Sequence, residues 1–228
     1  IGSAFGSAGE RCMAISVAVC VGKKTAENLK TKLLEETLKL NVGPYTDEKS
    51  DFGPLNNKAH YEKVLGYIDT GEKEGAKLLS DGRNMKLQGY ENGYFVGPTI
   101  FEDVKPDMKI YKEEIFGPVL SMMTTDTYEE ALKLVNDHEL GNGAAVFTKS
   151  GMIAKHFTEN AKIGMIGVNV PIPVPVAYHS FGGWKRSLFG DHSMHGPEGV
   201  RFYTKLKTAT VTWSEDNSGP EFTIPVLS

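Results

Sequence analysis

The chain has 228 residues, 40% of them hydrophobic and 24% charged, ordinary proportions for a soluble globular protein with a sizeable core. A net charge of −4 offers no basic footprint for nucleic acid or for an anionic membrane surface. No apolar run is long enough to span a membrane, and no stretch reads as a signal peptide.

The opening, Ile1-Gly2-Ser3-Ala4-Phe5, lacks an initiator Met and runs straight into a candidate nucleophile, so the sequence reads as a fragment of a longer protein. Gly6-Ser7-Ala8-Gly9-Glu10-Arg11 makes a tight, small-residue approach to Cys12. The residues from Met13 to about Val21 predict a helix, stopped by Gly22. Cys12 then sits at a helix start, where free backbone N–H groups and the dipole favour a thiolate. The adjacent Arg11 acts in the same sense. A thiolate beside backbone donors suits nucleophilic catalysis with an oxyanion pocket; the bland alternative is a buried small hydrophobe. On one helix Cys12 and Cys20 stand about 12 Å apart, too far for a disulfide. The expected compartment is therefore reducing: the cytoplasm, or the mitochondrial matrix of a eukaryote.

Thr25 to Leu40 predicts a helix, with Leu29, Leu33 and Leu40 on one face, and Asn41 to Leu55 a loop broken at Gly43-Pro44 and Gly53-Pro54. A further helix runs from Asn57 to about Lys73 with Val64, Leu65 and Ile68 inward, then a strand at Gly75–Leu79. Asp81 to Tyr94 is a polar excursion, and Phe95 to Phe101 a strand interrupted by Gly97-Pro98. Glu113-Glu114-Ile115-Phe116-Gly117-Pro118 leads into another strand. Thr127 and Glu130 form a capping box for a helix carrying Tyr128, Ala131, Leu132 and Val135 inward and ending at Gly141. Strand Ala144–Thr148, helix Met152–Ala161 and strand Ile163–Asn169 continue the alternation, which argues for parallel βαβ units. Pro171 to Pro175 is a stiff polyproline-like run. His192 and His195 have metal-like spacing but no third ligand nearby, so a structural role is favoured and no metal is expected. Gly199 to Trp213 alternates as a strand, and 214–228 reads as a loose tail.

Phe5-Gly6-Ser7-Ala8-Gly9-Glu10-Arg11-Cys12 resembles the active-site cysteine signature of the aldehyde dehydrogenase superfamily, and Glu113-Glu114-Ile115-Phe116-Gly117-Pro118 its second signature. Phe181-Gly182-Gly183-Trp184-Lys185-Arg186-Ser187 resembles the family's Pro-Phe-Gly-Gly-x-Lys-x-Ser-Gly loop, with Leu188-Phe189 in place of the usual Gly. The strings Asn169 to Pro175 and His195 to Thr208 are similar to the CoA-acylating branch that acts on methylmalonate or malonate semialdehyde.

The resemblance implies an α/β catalytic domain over residues 1–198, mostly a parallel open sheet flanked by helices. It implies an oligomerisation strand over 199–213, serving a homo-oligomer (dimer or tetramer), and an NAD-binding domain lying before residue 1. It makes Cys12 the nucleophile, and Glu114 and Phe116 the residues that hold the nicotinamide ribose and ring. NAD is the implied cofactor and CoA the co-substrate. Arg11, where many relatives carry smaller residues, is a candidate for gripping the substrate carboxylate. A non-acylating aldehyde dehydrogenase, an NAD-independent thiol enzyme and a non-catalytic oligomerisation module are the rival readings.

Overall fold

The computed structural model describes residues 1–211 and 213. Helix α1 (Gly2–Phe5) and a 3₁₀ turn at Gly6–Gly9 precede the cysteine, and β1 (Val17–Val21) follows it. The helix expected from Met13 to Val21 is therefore replaced by a turn and a strand. Met13 and Ala14 are good helix formers, but Ile15, Val17, Val19 and Val21 alternate with smaller residues and are β-branched, which suits a pleated ladder. Neighbouring β4 supplies that ladder, and tertiary pairing overrides the local preference.

Helix α2 (Lys23–Thr37) and helix α3 (Lys58–Lys73) follow, and the Asn57 side chain caps α3 by accepting from the His60 N–H at 2.9 Å. Next come β2 (Lys77–Ser80), β3 (Thr99–Glu102), the short α4 (Lys109–Lys112) and β4 (Val119–Thr125). These strands form one sheet in the order β1-β4-β3-β2. The first two pairings are parallel and the last antiparallel. Val64, Ile68, Ile100 and Phe101 are wholly buried in the core around this sheet, Phe101 on the face that meets Gly71 of α3, and Phe5 is nearly so. Each such side chain contributes about 1.5–3 kcal/mol by leaving water.

Helix α5 (Tyr128–Asp137) opens with the expected capping box of Thr127 and Glu130. It ends at Asp137, short of the expected stop, because Gly141 belongs to β5 (Leu140–Gly141). Strand β6 (Gly143–Val146), helix α6 (Gly151–Asn160) and β7 (Met165–Val168) complete a parallel β-α-β unit with its own small core of Phe157, Ala161 and Ile163. Strand β8 (Trp184–Lys185) pairs antiparallel with β5. From there the Lys185 ammonium donates to the carbonyls of Val135, Asn136 and His138 at 2.8–3.1 Å. A cation thus closes the C-terminal end of α5, and burial pushes its ammonium below the usual lysine range.

Pro197–Tyr203 is a helix, α7, so the strand expected from Gly199 does not begin there: Pro197 occupies the first helical turn, a position it favours. Residues 204–211 and 213 have no strand pairing among the described residues. The expected tail, 214–228, lies outside the described residues. Among the described residues no helix is long and apolar enough to cross a membrane.

Glu102 at the end of β3 accepts from Lys30 at 2.9 Å and from Lys77 at 3.2 Å. The Lys30 hydrogen bond, above all, holds its carboxyl below the usual range, against the opposing effect of burial. A depressed folded value contributes stability that is complete above the unfolded value of about 4.3 and lost as pH falls through the folded one. Glu102→Gln should therefore flatten the decline in stability between about pH 5 and pH 3, measured by urea unfolding across that range.

Candidate active site

Strands β1 and β4 are parallel neighbours, with Val17 opposite Ser121. Cys12 and Phe116 each stand five residues ahead of that pair. The two lead-in loops therefore leave the sheet at the same end, side by side. Their backbones touch: a Cβ placed on Gly9 would stand 2.1 Å from the Gly117 carbonyl oxygen, and Gly9 has φ +72°. Only glycine meets both conditions. Ser7 and Ala8 just before it also hold left-handed conformations, at φ 54° and 55°, each costing roughly 1–2 kcal/mol. Burial of Phe5, Ala8 and Gly9 holds this strained turn in place.

Cys12 is exposed in a turn closed by the Ala14 N–H donating to the Arg11 carbonyl at 3.0 Å. The Asn142 side-chain amide donates to the Cys12 carbonyl at 3.0 Å and lies 3.1 Å from the Met13 sulfur. The peptide planes on both sides of Cys12 are thereby held. Among the described residues the Cys12 N–H has no protein acceptor, which leaves it free for an oxyanion. No helix starts at Cys12, so the helix-dipole activation expected from the sequence is absent. Arg11 folds back instead, its Nε donating to Ser7 Oγ at 3.0 Å, with its guanidinium against Gly6.

One small cleft is lined by Gly9, Arg11, Cys12, Glu114, Phe116 and Gly117, so the four candidate site residues share one wall system. The two glutamates are treated differently. Glu113 accepts from the Tyr67 hydroxyl at 2.5 Å; burial chiefly, and then that contact, push Tyr67 up to about 12. Glu114 stays exposed, while its backbone carbonyl accepts from the Lys63 ammonium at 3.2 Å. Phe116 holds φ +59° with its ring 36% exposed, and its carbonyl accepts from His60 Nε2 at 2.6 Å. Asn142, His60 and Lys63 were not candidates from the sequence. Asn142 lay just ahead of the strand expected at Ala144–Thr148, and the other two fell within the helix expected from Asn57 to Lys73, with no role assigned to either. Farther along, His192 pairs with Glu198 and His195 stacks on Phe181, so the two histidines serve different partners.

Cys20 is 2% exposed and burial pushes its thiol up, whereas Cys12 is exposed. Iodoacetamide should therefore label Cys12 well before Cys20, as read by peptide mass spectrometry of a partly alkylated sample. Gly9→Ala must move either the cysteine loop or the Gly117 carbonyl. Its melting temperature should fall by several degrees, on the order of a 2–4 kcal/mol loss. A change within error would mean that the contact yields easily.

The aldehyde dehydrogenase family matches residues 1–209. Malonate-semialdehyde dehydrogenase of Pseudomonas aeruginosa is 52% identical over 229 residues, which take in all of this chain and 46% of that protein. The acylating, mitochondrial methylmalonate-semialdehyde/malonate-semialdehyde dehydrogenase of Bos taurus is 48% identical over 230 residues, covering all of this chain and 42% of its own length. A crystal structure from Sinorhizobium meliloti, provisionally named methylmalonate-semialdehyde dehydrogenase and complexed with NAD, superposes with a TM-score of 0.91 at 56% identity. It covers 95% of this chain, which spans 44% of that one. The methylmalonate-semialdehyde dehydrogenase of Oceanimonas doudoroffii gives 0.90 at 52% identity, over 94% of this chain and 44% of its own. The chain thus spans a little under half the length of these relatives. It belongs to the aldehyde dehydrogenase family.

Proposed function

We propose that this chain is the cysteine-bearing part of an NAD-dependent, CoA-acylating dehydrogenase for methylmalonate or malonate semialdehyde. The observation that carries the reading is the shared cleft of Cys12, Arg11, Glu114 and Phe116, in a chain about half identical to enzymes named for that activity. The Cys12 thiolate adds to the aldehyde carbon, and the unspent Cys12 N–H donates to the developing oxyanion. Bound NAD supplies a hydride acceptor. The carbonyl re-forms as the hydride and its electron pair leave the substrate carbon, so Cys12 carries a thioester. Breaking the bond to the β-carboxylate releases CO2, and its electron pair passes into the thioester enolate, which takes a proton. The CoA thiol then attacks the acyl carbon, forming the new thioester and returning Cys12.

The residues present fit the nicotinamide half of NAD. A carboxylate such as Glu114 offers two acceptor oxygens to vicinal ribose hydroxyls, and the exposed Phe116 ring offers a flat apolar wall. The backbone hold on both residues, through Lys63 and His60, supports their use as a fixed platform. Arg11 would grip the carboxylate two bonds beyond the aldehyde carbon. Its present partner, the neutral Ser7 hydroxyl, is one that a carboxylate outcompetes. The expected homo-oligomer, with residues of 199–213 pairing across a subunit boundary, belongs to this same proposal.

A polypeptide of the relatives' length carrying this chain should reduce NAD in the presence of malonate semialdehyde, with CoA accelerating turnover and acetyl-CoA accumulating. NADH formation indifferent to CoA would point to the non-acylating alternative. In the same protein Arg11→Leu should lower kcat/KM for the semialdehyde roughly tenfold to a hundredfold while changing propionaldehyde oxidation far less. Equal losses on both substrates would assign Arg11 to the cysteine loop instead of to the carboxylate.

A further inference from the structure

The first turn of α3 touches both loops that line the cleft. His60 Nε2 lies 2.6 Å from the Phe116 carbonyl and 3.3 Å from Glu10 Oε1. The Phe116 carbonyl can only accept, so the ring carries a proton at Nε2 and donates it there, with a Glu10 carboxylate oxygen close beside the same nitrogen. The Asn56 N–H, one residue ahead of the α3 cap, reaches the same Glu10 oxygen at 3.3 Å. Lys63, three residues on and so on the same helix face, holds the Glu114 carbonyl. The His60 and Glu10 side chains are only 16% and 18% exposed, so solvent screens their contact little.

Each end of this link attaches to something that needs holding. Glu10 stands two residues before Cys12, directly after the strained Ser7-Ala8-Gly9 turn. Phe116 is a bulky residue in the left-handed region, a conformation that lasts only where surrounding contacts enforce it. The Gly9–Gly117 contact prevents the loops from approaching more closely, but it cannot keep them from parting. His60 supplies the missing restraint, and its ring also meets the Phe116 ring edge-on at 6.2 Å.

We propose that His60 is a positioning residue which, by donating its Nε2–H to the Phe116 carbonyl and standing 3.3 Å from Glu10 Oε1, sets the spacing between the Cys12 nucleophile and the Phe116 ring. The proposal rests on the dehydrogenase reading. There the hydride must cross from a carbon bonded to Cys12 to a nicotinamide packed on Phe116, and an error of an ångström costs on the order of a hundredfold.

The test uses His60→Leu, which removes the donor, and His60→Gln, whose amide keeps an N–H near the same point. In a polypeptide of the relatives' length, with NAD, His60→Leu should lower kcat for propionaldehyde about tenfold or more while KM for the aldehyde stays within about twofold. The isotope effect on NADH formation from 1-deuteropropionaldehyde should rise, because hydride transfer becomes the slower step, and His60→Gln should restore most of kcat. A wild-type kcat and isotope effect in His60→Leu, or a Gln variant as impaired as the Leu variant, would overturn the proposal. A second readout needs no turnover: in the present chain, His60→Leu should change the Cys12-to-Cys20 alkylation ratio at least about threefold and His60→Gln should not. An unchanged ratio in His60→Leu also overturns it. Should the unsubstituted polypeptide form no NADH from any aldehyde, the dehydrogenase reading fails, and the alkylation ratio still decides whether His60 holds the cysteine loop.

Discussion

The parallel pairing of β1 with β4 is the constraint from which the rest of the site follows. With Val17 opposite Ser121, the two segments that precede these strands must leave the sheet together, and three of the six non-glycine residues with positive φ among the described residues lie there. Ser7, Ala8, Gly9 and Phe116 all take positive φ, within two short loops that face one cleft. Such strain lasts only where neighbouring contacts over-determine it. Here the glycine contact sets the closest approach, and the first two turns of α3 together with Asn142 supply the hydrogen bonds that resist separation.

This arrangement also separates roles among like residues. Glu113 is tied to Tyr67, and two lysine ammonium groups lie over the Tyr67 ring, whereas Glu114 is held by its backbone and keeps its carboxylate exposed. Cys20 is packed inside the sheet, whereas Cys12 is presented at the surface by a turn. In each pair the chemistry is the same: burial sets the two cysteines apart, and the Tyr67 hydrogen bond sets the two glutamates apart.

The second β-α-β unit serves the first from a distance. Asn142, between β5 and β6, reaches the Cys12 carbonyl, so the placement of Cys12 depends on a segment 130 residues away. Lys185 ties β8 to the end of α5, and β8 pairs with β5, the strand directly ahead of Asn142. The glycine-rich loop that carries β8 thus bears on the cysteine loop through a series of hydrogen bonds.

Much of this was legible in the residues themselves. The helices α2, α3, α5 and α6 follow from apolar spacing and side-chain caps, because those are local effects written within a few residues. Cys12, Arg11, Glu114 and Phe116 were singled out from two motifs, and the fold brings all four to one cleft. The segment after Cys12 could not be settled locally. Met13-Ala14 favours helix while the valine alternation favours strand, and only a partner strand more than a hundred residues on tips the balance. Gly199 to Tyr203 failed in the opposite sense: a few alternating residues suggested a strand, while Pro197 at a helix start prevailed. His60 and Asn142 carry no local mark at all. Their importance is a matter of which atoms they meet across the fold, and that is decided by strand register and helix placement, which no short stretch of sequence contains.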